Sequence, residues 1–155
     1  MTSPVEVRVA VGETDTAACF EVRTEVFVVE QSVPASIEYD AYDAGAVHVL
    51  AVGPDGVALG TGRLLHGAAA LGKTGDLAVG SLGRLAVRKA ARGLGVGVAL
   101  VRALEAEAAE RGLCAVELGA QTHALGFYER LGYVAYGPEF QDAGIPHRAM
   151  RRPLP

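Results

Sequence analysis

Residues 82–104 read LGRLAVRKAARGLGVGVALVRAL. An apolar strand (Leu82, Leu85, Ala86, Val87) runs into a basic turn (Arg88, Lys89, Arg92). Gly93, Gly95 and Gly97 follow at every second position, and then a helix rich in Ala, Leu, Val and Glu begins. This order makes an anion site. Glycine lets backbone approach an oxyanion closely, the first N–H groups of a helix have no intrahelical partner, and the helix dipole is positive at that end. A terminus alone stabilises an anion by only ~0.3–1 kcal/mol, whereas charge-assisted hydrogen bonds contribute ~1.5–3 kcal/mol each. A diphosphate, which accepts several at once, fits better than a single carboxylate.

The 155 residues match one domain, residues 1–155, with enough chain for a two-layer core. Half are apolar, which excludes disorder over most of the length. No apolar run approaches the ~20 residues of a membrane helix. The opening MTSPVEVRVAVGETD has neither a basic n-region nor a leucine-rich h-region, so the cytoplasm is the expected location and no membrane partner is expected. A formal charge of −4 argues against a general nucleic-acid binder. Cys19 and Cys114 show no metal spacing and are expected as small core residues, and no metal site is expected.

In chain order, Val5, Val7, Val9 and Val11 alternate with polar or small residues as a first strand. A helix capped by Thr14 or Asp15 is expected to run to about Val29. Residues 32–44 lack periodicity. Val47–Val52 and Val57–Leu65 form a hairpin through Pro54-Asp55-Gly56. After the 82–87 strand comes a helix with Val96, Leu100, Leu104 and Ala108 on one face, a Glu107–Arg111 pair and a Gly112 cap. A buried strand (114–119), a short helix closed by Gly132, and two last strands (133–140, 147–154) complete the order β-α-β-β-β-α-β-α-β-β.

Gly67, Gly72, Lys73 and Thr74 satisfy G-x-x-x-x-G-K-[ST], the phosphate-loop motif of nucleotide triphosphatases. That motif needs a helix starting at the Lys-Thr pair. Gly75 follows at once, so residues 67–80 are expected as a long hairpin loop. Nor do Gly93, Gly95 and Gly97 give the G-x-G-x-x-G dinucleotide fingerprint. They satisfy, with Arg92, the pattern [QR]-x-x-G-x-[GA].

That pattern resembles the acetyl-CoA pyrophosphate loop of the GCN5-related N-acetyltransferase (GNAT) superfamily. Leu85-Ala86-Val87 resembles the strand whose backbone pairs with the pantetheine arm, a mode in which side-chain identity matters little. AQTHALGFYERLGY (residues 120–133) resembles the family segment N-x-x-A-x-x-[LF]-Y-x-x-x-G-[FY], with Gln121 in the place of the Asn. VFVVEQSVPASIEYDAYDAGAVHVL (26–50) and GIPHRAM (144–150) resemble the ElaA-like branch of bacterial acetyltransferases. The resemblance implies an α/β GNAT fold: a mixed, mostly antiparallel sheet of six to seven strands, about four helices, and a V-shaped opening in the sheet.

It also implies acetyl-CoA as cosubstrate, transfer to an amine of a small molecule or peptide, and a single cytoplasmic domain for which a homodimer is compatible. The implied donor contacts are Leu85, Ala86, Val87, Arg92, Gly93, Leu94, Gly95, Val96, Gly97, Val98, Gln121, Phe127 and Tyr128. Tyr128 falls on the tyrosine that protonates the leaving thiolate in many relatives. The acidic residue that often serves as base is replaced by Gly83. His147, an imidazole near neutrality, and Glu30 are candidates for base or relay. Glu30, Glu38, Asp40 and Asp43 are expected either to attract an ammonium substrate or to form a solvated acidic loop. His48 is expected to be structural and His123 a capping residue. Two further readings stay open: a non-catalytic acyl-CoA sensor, motivated by Gly83, and a triphosphatase using Lys73.

Overall fold

The structure, a computed structural model, describes residues 5–155. Met1–Pro4, part of the stretch read for a leader, lie outside the described residues. Seven strands form one sheet in the order β1-β2-β3-β4-β5-β7-β6. These are β1 (Glu6–Val9), β2 (Val47–Val52), β3 (Ala58–Leu65), β4 (Val79–Val87), β5 (Ala115–Gln121), β6 (Val134–Asp142) and β7 (Ile145–Pro153). All pairings are antiparallel except β4 with β5. Five α-helices accompany them among the described residues: α1 (Gly12–Arg23), α2 (Ala35–Glu38), α3 (Ala68–Thr74), α4 (Val96–Glu110) and α5 (Leu125–Arg130).

The main core lies between the sheet and α4. Val96, Leu100, Val101, Leu104 and Ala108 of the helix pack with Val49, Leu64, Leu82, Val116 and Leu118 of the strands. Two glycines of β3 seat the helix closely. A Cβ at Gly60 or Gly62 would stand 2.8 Å from a terminal methyl of Leu100 or Leu104, so a methyl group at either place would force those core side chains to shift. The helix ends in a Schellman turn: Leu113 N–H donates to Ala108 O, Gly112 N–H donates to Ala109 O, and Gly112 has φ +74°. The expected Glu107–Arg111 pair is present at 3.0 Å.

Four expectations need correcting. The first helix starts at Gly12, and Asp15 reaches back to accept the Val11 amide at 3.1 Å. It is α-helical only to Arg23 and continues as a π-helical stretch, Thr24–Glu30, a form common at functional sites. The 32–44 segment, despite its lack of periodicity, holds α2 and the start of a 3₁₀ turn, Ala41–Gly45. Residues 67–80 are not all loop, because α3 occupies Ala68–Thr74 and Gly75 ends it with φ +75°. The triple alanine supplies the helix propensity that glycine counting obscured. Lys73 and Thr74 thus sit in its last turn, the opposite end from the one a phosphate loop requires. Cys19 is buried as expected, but Cys114 is exposed. It precedes β5 as the chain leaves the α4 turn, one residue before the buried run that begins at Ala115.

Two irregularities open the sheet. Thr61 pairs with Ala86 and Arg63 with Gly83, so Gly62 alone faces both Arg84 and Leu85. This is a β-bulge, and Arg84 takes φ +51° in it. Meanwhile β4 and β5 pair only from Val79–Ser81 to Ala115–Glu117. Beyond Ser81 and Glu117 the two strands part, which is the V-shaped opening. No helix among the described residues is long and apolar enough to cross a membrane.

Candidate active site

A cavity of about 1030 Å³ follows the opening. One arm runs along β4 to the turn at residues 92–98; the other spreads over the face of the sheet that carries Gly83, Gly119 and His147.

At the first arm, Gly95 (φ +79°) is the left-handed residue before α4, a conformation that costs any β-carbon-bearing residue. It aims the amides of residues 93–98 outward, and none of them meets an acceptor among the described residues. Gly97 is glycine for a different reason. A Cβ there would stand 3.2 Å from the Phe127 ring, which wedges α5 against the first turn of α4. Arg92 is held from both sides: its Nε donates to Val87 O at 3.0 Å and its NH2 group to Glu30 at 2.9 Å. Glu30 therefore lies across this first arm, paired with the loop's arginine. Arg88 N–H donates to Leu59 O of β3. Because bonded and non-bonded positions alternate along an antiparallel pair, the Val87 and Leu85 backbone groups face the opening instead.

Where the arms meet, Tyr128 lines the cavity. Its ring packs edge-on against Phe127 (4.9 Å) and Tyr133 (5.8 Å), and its hydroxyl has no hydrogen-bond partner among the described residues. Burial pushes its phenol up to about 12, so it remains a proton donor at neutral pH. Gln121 is engaged by neighbours. It exchanges amide hydrogen bonds with Gln31 and receives His123 Nε2 at 2.6 Å.

On the second arm, directly opposed residues of β5 and β7 share a face. The pairs Glu117–Arg151, Gly119–Ala149 and Gln121–His147 stand together, while Val116, Leu118 and Ala120 point to the core. His147 is buried, stacks on Phe140 at 5.7 Å, and its Nδ1 lies 2.6 Å from Ile145 O. A carbonyl can only accept, so Nδ1 carries the proton and Nε2 presents its lone pair. His48 binds Asp43 O through Nε2, a structural role as expected.

The acidic segment is neither free nor simply solvated. Arg23, Arg63 and Arg84 meet Glu38, Asp40 and Asp43 in one partly buried cluster. Arg23 binds Asp43 (2.8 Å) and Glu38 O (2.7 Å). Arg63 binds Asp40 (2.7 Å) and Asp43 (2.9 Å), and Arg84 binds Asp40 and Glu38 at 3.1 Å. Three cations match three anions, so these carboxylates offer no net field for an ammonium. Burial alone would raise Asp43, but hydrogen bonds and charge from Arg23, the Asp40 amide and Arg63 outweigh it and draw it from 3.8 to about 2. Glu38 goes the other way: burial raises it despite the attraction of Arg84, Arg23 and Arg63. The signal for this cluster was Arg63, the one charged residue of β3, together with Arg23 at the buried end of α1.

The family model described as "Acetyltransferase (GNAT) domain" matches residues 10–154. The uncharacterized N-acetyltransferase YjcF of Bacillus subtilis is 38% identical over 93% of this chain and 96% of its own. Among solved structures, an acyl-CoA N-acyltransferase from Pseudomonas aeruginosa is 33% identical with TM-score 0.78, covering 96% of this chain and 97% of that one. Escherichia coli ElaA is 27% identical with TM-score 0.80, covering 96% and 99%. These matches agree with the open V between β4 and β5 and the unpartnered amides past Arg92: the chain belongs to the GNAT acetyltransferase family.

Proposed function

We propose that the chain transfers an acetyl group from acetyl-CoA directly to an amine of a small molecule or peptide. The observation that carries this is the run of unpartnered amides at residues 93–98, joined by the open edge of β4 to the unpartnered hydroxyl of Tyr128. Those amides and Arg92 take the diphosphate, with Arg92 released from or shared with Glu30. Leu94 and Val98, both exposed at the turn, flank it. The β4 amides at Leu85 and Val87 bind the pantetheine and stabilise the charge that develops on the thioester oxygen.

His147 Nε2 accepts the ammonium proton, directly or through one water, and the freed amine attacks the thioester carbon. As the C–S bond breaks, its electron pair goes to sulfur and Tyr128 donates to it. A phenol near 12 lies well above a thiol's ~8.5. Tyr128 therefore passes its proton only while regaining the one the nitrogen loses. Glu30, bound to Arg92, serves the donor site in this scheme and leaves base chemistry to His147.

Thiol release with acetyl-CoA across amines, polyamines, aminoglycosides and peptides tests the reading. His147→Gln is expected to lower kcat about 10²-fold; an unchanged kcat would take His147 out of the mechanism. Gly83, where a carboxylate side chain is absent, favours one second reading, an acyl-CoA sensor. Donor binding without thiol release from any amine would establish it.

A further inference from the structure

The fork of the V is floored by two glycines at one level. Ser81 pairs with Glu117, and two residues further along each strand stand Gly83 and Gly119, on the same face by the period of two. A Cβ on Gly83 would meet nothing within 4 Å, and one on Gly119 would meet only the Phe140 ring, at 3.2 Å. Neither glycine has a positive φ. Backbone conformation therefore does not demand glycine at either place; what their absence of side chain provides is room.

The line of the donor leads into that room. It enters at residues 92–98, runs back along β4 past Val87 and Leu85, and so points its acyl carbon toward Gly83 and the closed end at Ser81. From Leu85 to Ser81 is roughly 13 Å of strand at ~3.3 Å per residue, much longer than an acetyl group. Leu65, Phe140, Ile145 and Ala149 line the cavity here. Arg63, opposite Gly83, spends its charge on Asp40 and Asp43, and Glu117 is matched by Arg151 and Tyr136. An apolar chain suits a chamber whose charges are already paired.

We propose that this chamber takes the acyl chain of donors longer than acetyl, short straight or branched fatty acyl groups, and that Gly83 and Gly119 set donor length. The proposal rests on the acyl-CoA reading above. The reaction is the same transfer, with a longer group moving from sulfur to nitrogen.

Thiol-release kinetics with acetyl-, propionyl-, butyryl- and isovaleryl-CoA test it in the wild type, Gly83→Val and Ala149→Leu, the last narrowing the chamber from β7. Butyryl- and isovaleryl-CoA are expected to match or exceed acetyl-CoA in kcat/KM in the wild type. Each variant should cut the ratio of long to short donor by about tenfold or more. Use of acetyl-CoA alone would overturn the proposal, as would donor profiles that neither variant changes. A shift in amine preference with no shift in donor preference would also overturn it, by giving the space to the acceptor. Should no thioester release thiol with any amine, the catalytic reading fails by itself. Calorimetry then decides the chamber: tighter binding of butyryl-CoA than acetyl-CoA, lost in both variants, supports it, and equal binding contradicts it.

Discussion

Arg23→Met is expected to destabilise the protein by about 3–5 kcal/mol, the usual result of removing one partner from a buried ion pair. Arg23 has no exposed surface, lies between the Phe20 and Tyr39 rings at 5.0 and 5.4 Å, and holds Asp43 and the Glu38 carbonyl. Methionine fills much of the volume but returns none of those hydrogen bonds. Against a total of roughly 5–15 kcal/mol, the loss should lower Tm by about 10 °C. Arg8→Ala is the control: its pairs with Asp15 and Glu6 lie at the surface, where solvent screens them, and removing them should leave Tm nearly unchanged. The acid limb provides a second readout. Folded Asp43 sits at about 2 against its ordinary 3.8, so in that window the unfolded chain binds the extra proton. Its contribution is present above about pH 4 and is lost as pH falls toward 2. In Arg23→Met that slope should flatten. Equal melting temperatures for wild type and Arg23→Met would show that the cluster does not hold the 32–46 segment to the sheet.

Gly95→Asp should abolish donor binding while leaving the fold intact. Aspartate tolerates the left-handed conformation better than most residues, and the space beyond Gly95 is open. The cost falls on the ligand, because a carboxylate then occupies the position where the turn presents amides to phosphoryl oxygens. Losing two charge-assisted bonds removes about 3 kcal/mol or more, beyond a hundredfold in Kd, before repulsion is counted. Calorimetry with acetyl-CoA on wild type and variant, alongside circular dichroism, checks both halves. Retained affinity would remove the turn from the donor site.

The geometry of the proposed donor side was legible because it belongs to the backbone. Glycine spacing at 93–97, an apolar strand before it and a helix after it determine where amides point, and all three are written locally in residues 82–104. The second arm was harder to read. The bulge that sets Arg84 at φ +51° leaves no local mark, since arginine rarely adopts that conformation. Nothing near Glu38, Asp40 and Asp43 shows that Arg23, Arg63 and Arg84, brought in from three other elements, neutralise them. Long-range pairing of that kind is a product of topology. The same holds for Gly119, which acquires meaning only when β5 lies level with Gly83 on β4. Helix α3 was missed for a local reason, three alanines outweighed by the glycines around them.

The central claim is that the amides past Arg92 hold a diphosphate while the thioester reaches Tyr128. A crystal structure of the chain with acetyl-CoA tests it most directly. The account predicts diphosphate oxygens within hydrogen-bond distance of the residue 93–98 amides, pantetheine along Leu85–Val87 and sulfur beside the Tyr128 hydroxyl. A diphosphate bound away from that turn, or a thioester on the far side of the sheet from Tyr128, would contradict it.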